Sequence, residues 1–106
     1  MADYNKMKLF RRKVIAVDMD GTISRGVCWT PSEVLKAKPN KAVIEKVNKL
    51  YQENFIILYT ARRDELIPAT LEWCRRNNVL WHGWSNKKIG AEVYLDDKAL
   101  NVKDFI

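Results

Sequence analysis

Short apolar runs alternate along the chain with stretches whose apolar residues recur at helical spacing. Three runs stand out, at Val14–Asp18, Phe55–Tyr59 and Val93–Leu95. Their length and their β-branched and aromatic content are typical of buried strands in a parallel sheet. Residues 79–81 form a fourth, shorter strand candidate.

Two amphipathic helices are predicted between these runs. Pro39 opens the first, which carries apolar residues on one face and lysines and glutamates on the other. Asp64 is predicted to cap the second, with Pro68 near its first turn and Asn77 at its end. Residues 19–38 lack sustained periodicity and predict a loop, of a length that is usually functional. The inner face of the second helix is expected to carry Ile67, Leu71 and Cys74.

The order of these elements predicts the α/β class. Strands that alternate with helices favour parallel pairing and right-handed connections. We expect a three-layer Rossmann-like sandwich with a small, mostly parallel sheet and helices on both faces. A chain of 106 residues has room for one core. Residues 1–106 are therefore expected to form a single domain, with residues 1–10 as a loose lead-in.

The composition favours a globular domain with anionic partners. The net charge is +6, from 19 basic and 13 acidic residues, and a basic field concentrates anions near the surface. No apolar run approaches the roughly 18 residues needed to span a bilayer, and no apolar signal core is visible. We therefore expect a cytoplasmic protein without a membrane partner. Cys28 and Cys74 are expected to be free, buried thiols.

The most specific chemical signal lies where the first apolar run ends. Asp18 and Asp20 stand two positions apart and are followed by Gly21 and Thr22. The carboxyl edge of an open α/β sheet is where such folds build their sites. Alternate residues of a strand point the same way, so the two carboxylates converge if the extended geometry continues. Like charges that close require a cation or a proton between them, which predicts a bound metal, a protonated carboxyl, or both.

Two other interpretations of this segment are a simple turn and a calcium loop. Aspartate and glycine after a strand often make a simple turn. A calcium loop of the EF-hand type also begins Asp-x-Asp, but here Ile23 and Trp29 stand where that loop requires Gly and Glu. The calcium interpretation therefore fails, and the turn remains the simplest alternative.

Further polar residues follow the other predicted strands. Thr60 ends the second run, the pair Asp96 and Asp97 follows the third, and Lys87 and Lys88 precede that third run. In this order the segments resemble the haloacid-dehalogenase-like (HAD) phosphohydrolase superfamily, in its small capless type. Its four motifs run Asp-x-Asp-Gly-Thr, Ser or Thr, Lys, and an acidic pair. The resemblance covers residues 14–99.

The resemblance implies an aspartyl-phosphate mechanism. Asp18 would be the nucleophile that takes the phosphoryl group, and Asp20 the general acid and then the general base. Thr60 would hydrogen-bond the phosphoryl oxygens. The spacing to the acidic pair favours Lys88 as the lysine that neutralises their charge. Ile89 and Glu92 stand where the family commonly has Pro and Asp, so Lys87 remains an alternative.

The resemblance also implies a Mg²⁺ cofactor, because a phosphate dianion approaching several carboxylates needs a cation. The expected ligands are the Asp18 carboxylate, the Asp20 backbone carbonyl and an acidic residue of the last motif. Asp96 is favoured as the direct ligand, with Asp97 acting through water or holding the lysine. Sequence alone does not separate the two adjacent aspartates.

Four residues are expected to contact the substrate. Backbone amides after Asp18, that of Gly21 included, and the amide of Ala61 would cradle the phosphate. Arg62 would reach a second anionic group, the alternative being ordinary surface placement. Trp29 would stack on a sugar or base, the alternative being burial against the sheet.

The function implied is a Mg²⁺-dependent phosphatase that hydrolyses phosphate monoesters. Too few residues follow Asp20 and Thr60 for an inserted cap domain, so the site would admit bulky substrates or be completed by another chain in a homo-oligomer. The expected partner is a phosphorylated small molecule. Similar short relatives occur beside polysaccharide-synthesis enzymes and in viral genomes, which favours a sugar phosphate. The alternatives are a nucleic-acid end phosphatase, a receiver-like signalling module that holds a phosphoryl group, and a non-catalytic binding protein.

Overall fold

The computed structural model describes residues 12–26, 28–87, 93–95 and 100–102. The predicted lead-in, residues 1–10, lies outside this part of the chain. The described strands are β1 Val14–Asp18, β2 Phe55–Tyr59, β3 Gly83–Ser85, β4 Val93–Leu95 and β5 Leu100–Val102. The described α-helices are α1 Pro31–Lys36, α2 Lys41–Tyr51 and α3 Ile67–Arg76, and a 3₁₀ turn at Asp64–Leu66 leads into α3.

The strands form one sheet in the order β3-β2-β1-β4-β5. The first four strands of that order are parallel, and β5 pairs antiparallel with β4 at the edge. This confirms a small α/β domain with a mostly parallel, Rossmann-like sheet. The register pairs Asp18 with Tyr59, Val17 with Leu95, and Tyr59 with Ser85. The carboxyl ends of the four parallel strands therefore lie side by side.

One face of the sheet forms the core with the helices. In β2, Ile56 and Leu58 are buried, whereas Phe55 on the opposite face is 55% exposed. The connections from β1 to β2 and from β2 to β3 run in the same direction along the sheet, and the right-handed rule places their helices on one face. The described residues thus account for a sheet and one helical layer. The core also takes Ile44, Val47 and Leu50 from α2, Val34 from α1, and Trp73 and Cys74 from α3.

Three details of the elements differ from the sequence prediction. The segment expected to be an open loop contains α1, which Thr30 caps by accepting a hydrogen bond from the Glu33 amide at 3.2 Å. A helix of six residues is too short to show a periodicity, so only its capping residues signalled it. The strand expected at residues 79–81 begins instead at Gly83.

The second predicted helix also begins later than expected. Asp64 lies in the 3₁₀ turn, where it accepts a hydrogen bond from the Asn86 side chain, and α3 starts at Ile67. Thr70 and Trp73 are buried on the inner face, whereas Leu71 is only partly buried.

Among the described residues, no helix is long and apolar enough to cross a membrane.

Candidate functional site

The site is built on the turn that follows β1. The extended geometry stops at Asp18, and the Met19 carbonyl accepts hydrogen bonds from the amides of Thr22, Ile23 and Ser24 at 3.1–3.2 Å. Gly21 has a φ of +79°, a left-handed conformation in which glycine carries no steric penalty. The chain therefore turns tightly after the strand, and Asp18 and Asp20 do not continue one extended face.

Asp18 lies at the last position of β1, half-buried beside Tyr59 of β2. The fully buried Thr22 directs its hydroxyl to the Asp18 carboxylate, with 3.4 Å between Thr22 Oγ1 and Asp18 Oδ2. This contact orients the carboxylate at the carboxyl edge of the sheet. Thr22 was not among the residues singled out from the sequence, although the motif containing it was.

Asp20 is held by a two-point contact with Arg62. Arg62 Nη2 donates to Asp20 Oδ1 at 2.7 Å, and Arg62 Nε donates to Oδ1 at 3.0 Å and to Oδ2 at 3.2 Å. The Arg62 side chain is 3% exposed and the Asp20 side chain 26% exposed. Paired guanidinium and carboxylate groups in this geometry are among the stronger hydrogen-bonded contacts in proteins.

Arg62 therefore lies inside the site, where its guanidinium donates hydrogen bonds to the Asp20 carboxylate. Its remaining contacts are to Thr70 Oγ1 at 2.8 Å from Nη1 and to Ser24 Oγ at 3.2 Å from Nη2. This placement differs both from the expected reach toward a second anionic group and from the surface alternative. Ser24 and Thr70 were missed by sequence reasoning. The signal for Thr70 was a polar residue three positions from Ile67 on the apolar face of α3.

Thr60 follows β2 and joins the same cluster. Its amide donates to the Ser85 carbonyl at 3.0 Å, which ties the ends of β2 and β3 together. Its hydroxyl lies 3.4 Å from Asp20 Oδ2 and accepts a hydrogen bond from the Arg62 amide at 3.1 Å. Thr60 is buried, whereas the next residue, Ala61, is exposed. The structure thus brings Asp20, Thr60 and Arg62 together next to Asp18.

The described residues contain one of the two candidate lysines. Lys87 is exposed, two positions after β3, and its amide donates to Ser85 Oγ at 3.1 Å. Lys88, Asp96 and Asp97 lie outside the described residues. Within the described ranges, no group of three or more His, Cys, Asp or Glu side chains could hold a metal ion.

Trp29 and Cys28 are adjacent in the chain but differ in burial. The Trp29 side chain is 69% exposed, which excludes the buried alternative considered for it. Cys28 is buried, and burial raises the pKa of its thiol, while the neighbouring Arg62 lowers it and Asp20 raises it. The structure thus exposes the Trp29 ring and buries the neighbouring Cys28 thiol.

Comparison with known proteins assigns no family to this arrangement. No protein-family model, no curated protein and no solved structure matches the chain.

Proposed function

We propose that this protein is a Mg²⁺-dependent phosphatase that hydrolyses phosphate monoesters through an aspartyl-phosphate on Asp18. The observation that carries the proposal is the juxtaposition, at the carboxyl end of the sheet, of Asp18, the last residue of β1, with Asp20 and Thr60, which follow the neighbouring strands β1 and β2. A carboxylate nucleophile, a second carboxylate for proton transfer and a hydroxyl donor are the groups that this chemistry requires. The motif order of the haloacid-dehalogenase-like phosphohydrolases supports the same assignment.

The first step transfers the phosphoryl group to the protein. An oxygen of the Asp18 carboxylate attacks phosphorus and forms a new P–O bond, while the bond from phosphorus to the leaving oxygen breaks. Asp20 gives its proton to that leaving oxygen, which departs as an alcohol. The half-buried Asp18 carboxylate, oriented by Thr22, is suited to this attack.

The second step returns the phosphoryl group to water. A water molecule attacks phosphorus, its proton passes to the Asp20 carboxylate, and the bond between phosphorus and Asp18 breaks. Inorganic phosphate leaves, and both carboxyl groups regain their starting forms. Asp20 accepts hydrogen bonds from Arg62 and Thr60, which is the bonding expected of a carboxylate that serves as a base.

The chemistry of the proposed donors is compatible with a Mg²⁺ ion. The Asp20 side chain is engaged by Arg62, which agrees with the backbone carbonyl, and not the carboxylate, acting as the ligand at this position. With Asp18 and an acidic residue of the last motif, the donors are all oxygens, as Mg²⁺ prefers. When bound, the ion would supply charge neutralisation for the phosphoryl group.

The acidic pair follows β4 directly in the chain. Leu95 is the last residue of β4 and pairs with Val17, the residue before Asp18. By the resemblance, Asp96 would be the direct ligand, with Asp97 acting through water or holding the lysine. Lys88, with Lys87 as the alternative, would neutralise phosphoryl charge.

Backbone amides of Gly21 and Ala61 would cradle the phosphate, and the exposed Trp29 ring would stack on the rest of the substrate. A phosphorylated small molecule such as a sugar phosphate is the proposed substrate class. We also propose a second helical layer on the other face of the sheet. It would complete a three-layer sandwich without a cap domain.

The test is the activity of the full chain with Mg²⁺ on a panel of phosphate monoesters. The panel contains p-nitrophenyl phosphate, sugar phosphates, nucleotides and oligonucleotides phosphorylated at either end. We expect Asp18→Asn to abolish turnover, because an amide is a poor nucleophile and a poor metal ligand. Asp64→Asn, a matched change at an exposed position outside the site, should leave the rate unchanged. Activity of Asp18→Asn above about a tenth of wild type, that is, a loss worth less than about 1.4 kcal/mol, would rule out Asp18 as nucleophile.

A further inference from the structure

Hydrogen bonds hold all three nitrogen atoms of the Arg62 guanidinium. Its Nε, Nη1 and Nη2 atoms all donate hydrogen bonds, to Asp20, to Thr70 and, from Nη2, also to Ser24. The side chain is 3% exposed, so a displaced guanidinium would leave buried donors without acceptors, at a substantial free-energy cost. Arg62 is therefore a rigid part of the site.

Helix α3 anchors this arginine. The Thr70 hydroxyl donates to the Leu66 carbonyl at 2.7 Å and accepts the bond from Arg62 Nη1 at 2.8 Å. The contacts run without interruption from the start of α3 through Thr70 and Arg62 to the Asp20 carboxylate. The position of Asp20 thus depends on a helix as well as on its own turn.

The two-point contact controls the rotation of the Asp20 carboxylate. The terminal torsion of an aspartate is broad and allows the carboxylate plane to turn. Arg62 Nε contacts both carboxylate oxygens of Asp20, and Nη2 contacts Oδ1. These contacts together restrict a rotation that a single contact would permit. The Asp20 side chain remains 26% exposed, so part of the carboxylate stays accessible to water.

From this geometry we infer that Arg62 is a positioning residue, which holds Asp20 in the orientation needed to take a proton from the water that hydrolyses the aspartyl-phosphate. This inference rests on the proposed phosphatase function. A general base must bring its oxygen within hydrogen-bond reach of the attacking water. Phosphorylation of Asp18 by an ester with a good leaving group does not need a proton from Asp20. With such an ester, Arg62 is therefore required mainly in the second step.

The two steps are separated by rapid mixing of the full chain and Mg²⁺ with p-nitrophenyl phosphate. The first turnover reports phosphorylation of Asp18, and the later steady rate reports hydrolysis of the phosphorylated protein. For Arg62→Met we expect the steady rate to fall about 10²-fold, the scale of a misplaced catalytic group. The rate of the first turnover should change by less than about tenfold, so the phosphorylated form accumulates.

Two further variants complete the test. Arg62→Lys keeps the positive charge but offers a point contact in place of the planar fork, so we expect the same slow hydrolysis. Arg63→Met, at an adjacent arginine whose side chain is 68% exposed and paired with Glu65, should behave as wild type. If Arg62→Met does not fold, the two rates of Arg62→Lys decide the question.

Each contrary outcome identifies what has failed. Hydrolysis at the wild-type rate in Arg62→Lys would show that charge alone suffices and would overturn the positioning role. Equal losses in both steps, together with a lowered melting temperature, would reduce Arg62 to a structural residue. Wild-type protein that releases no p-nitrophenolate with Mg²⁺ would instead overturn the phosphatase function, and the positioning role with it.

Discussion

Cys74 shows how burial changes the chemistry of a single residue. The residue lies on the inner face of α3 with no exposed surface, and its Sγ atom is 4.0 Å from Met19 Sδ, directly beneath the turn after β1. Burial raises the pKa of the Cys74 thiol to about 12, and the nearby Arg62 only partly opposes the shift. The thiol is therefore neutral and inert in the folded protein at ordinary pH.

The raised pKa of Cys74 predicts a loss of stability at alkaline pH. In the unfolded chain the thiol ionises near its ordinary value of 9.0, whereas the folded chain holds the proton to about 12. Between pH 9 and pH 12 the folded protein binds more protons than the unfolded chain. The contribution of the protonated Cys74 thiol to the free energy of unfolding is therefore intact below pH 9 and is lost as the pH rises toward 12. The limiting slope is about 1.4 kcal/mol per pH unit.

Urea unfolding of wild type and Cys74→Ala at pH 8 and at pH 10.5 measures this effect. The variant is expected to be less stable at pH 8, since it loses packing, but to decline less with pH. Cys28→Ala removes the other buried thiol, whose pKa burial also raises, and shows how much that thiol adds to the alkaline loss. The same decline with pH in wild type and Cys74→Ala would assign the alkaline loss to other groups.

The residues that sequence reasoning located best are those fixed by the ends of strands. Asp18 and Thr60 were expected where two apolar runs end, and strands β1 and β2 end beside them. Arg62 could not be placed in the same way. The direction of its side chain depends on Asp20 and Ser24, from the turn after β1, and on Thr70, from α3. Only the fold brings those acceptors together.

At the scale of elements, His82 links β2 to the segment that leads into β3. Its Nδ1 atom accepts a hydrogen bond from the buried Ile56 amide at 3.0 Å, and its own amide donates to the Ile56 carbonyl at 2.9 Å. The imidazole stacks on Tyr51, with ring centroids 4.2 Å apart and 17° between the planes. His82 thus satisfies backbone groups of β2 and joins α2 to the sheet.

His82→Ala is expected to destabilise the fold without a direct effect on the proposed chemistry. The variant leaves the Ile56 amide without its acceptor, which costs about 1–3 kcal/mol for a buried donor. For a domain of this size that lowers the melting temperature by about 4–8 °C per kcal/mol.

His82→Asn provides the control for this prediction. The asparagine Oδ1 atom can take the place of Nδ1 as acceptor, so part of the lost stability should return. Thermal unfolding of the three proteins decides the point. Equal melting temperatures for wild type and His82→Ala would show that water satisfies the Ile56 amide.

The elements that the sequence misplaced have local physical reasons. Val79 is buried and Trp81 packs against the core, so residues 79–81 have the apolar pattern of a strand without its pairing. Pairing with β2 begins at Gly83, where an added Cβ would lie 3.3 Å from Ile57 Cδ1. The Ile57 side chain thus leaves little room for a side chain at position 83, and the glycine found there is typical of a turn in the sequence.

At the scale of the whole molecule, the sheet order assembles the site. β1 lies between β2 and β4, so a residue at its carboxyl end has neighbours on both sides. The alternation of strands and helices was sufficient to predict the parallel sheet. The antiparallel edge strand β5 was not predicted, because a strand of three residues carries almost no periodic signal.

Because the site spans several elements, ligand binding there should stabilise the entire fold. Beryllium fluoride and vanadate mimic phosphoryl species, and with Mg²⁺ each is expected to bind at Asp18. A ligand that binds only the folded state at a hundredfold excess over its dissociation constant adds about 2.7 kcal/mol to the free energy of unfolding. That corresponds to a rise in melting temperature of roughly 10 °C or more.

Thermal unfolding with the anion alone, with Mg²⁺ alone and with both separates this effect from general salt stabilisation. We expect the full shift only with both ligands, because at the proposed site the cation would offset the repulsion between the anion and the carboxylates. Asp18→Asn should lose the shift, and Asp64→Asn should retain it, since Asp64 lies in the 3₁₀ turn and is exposed. A shift of equal size in Asp18→Asn would place the anion elsewhere on this basic protein. No shift in wild type with either anion would argue that the edge of the sheet does not bind phosphoryl groups.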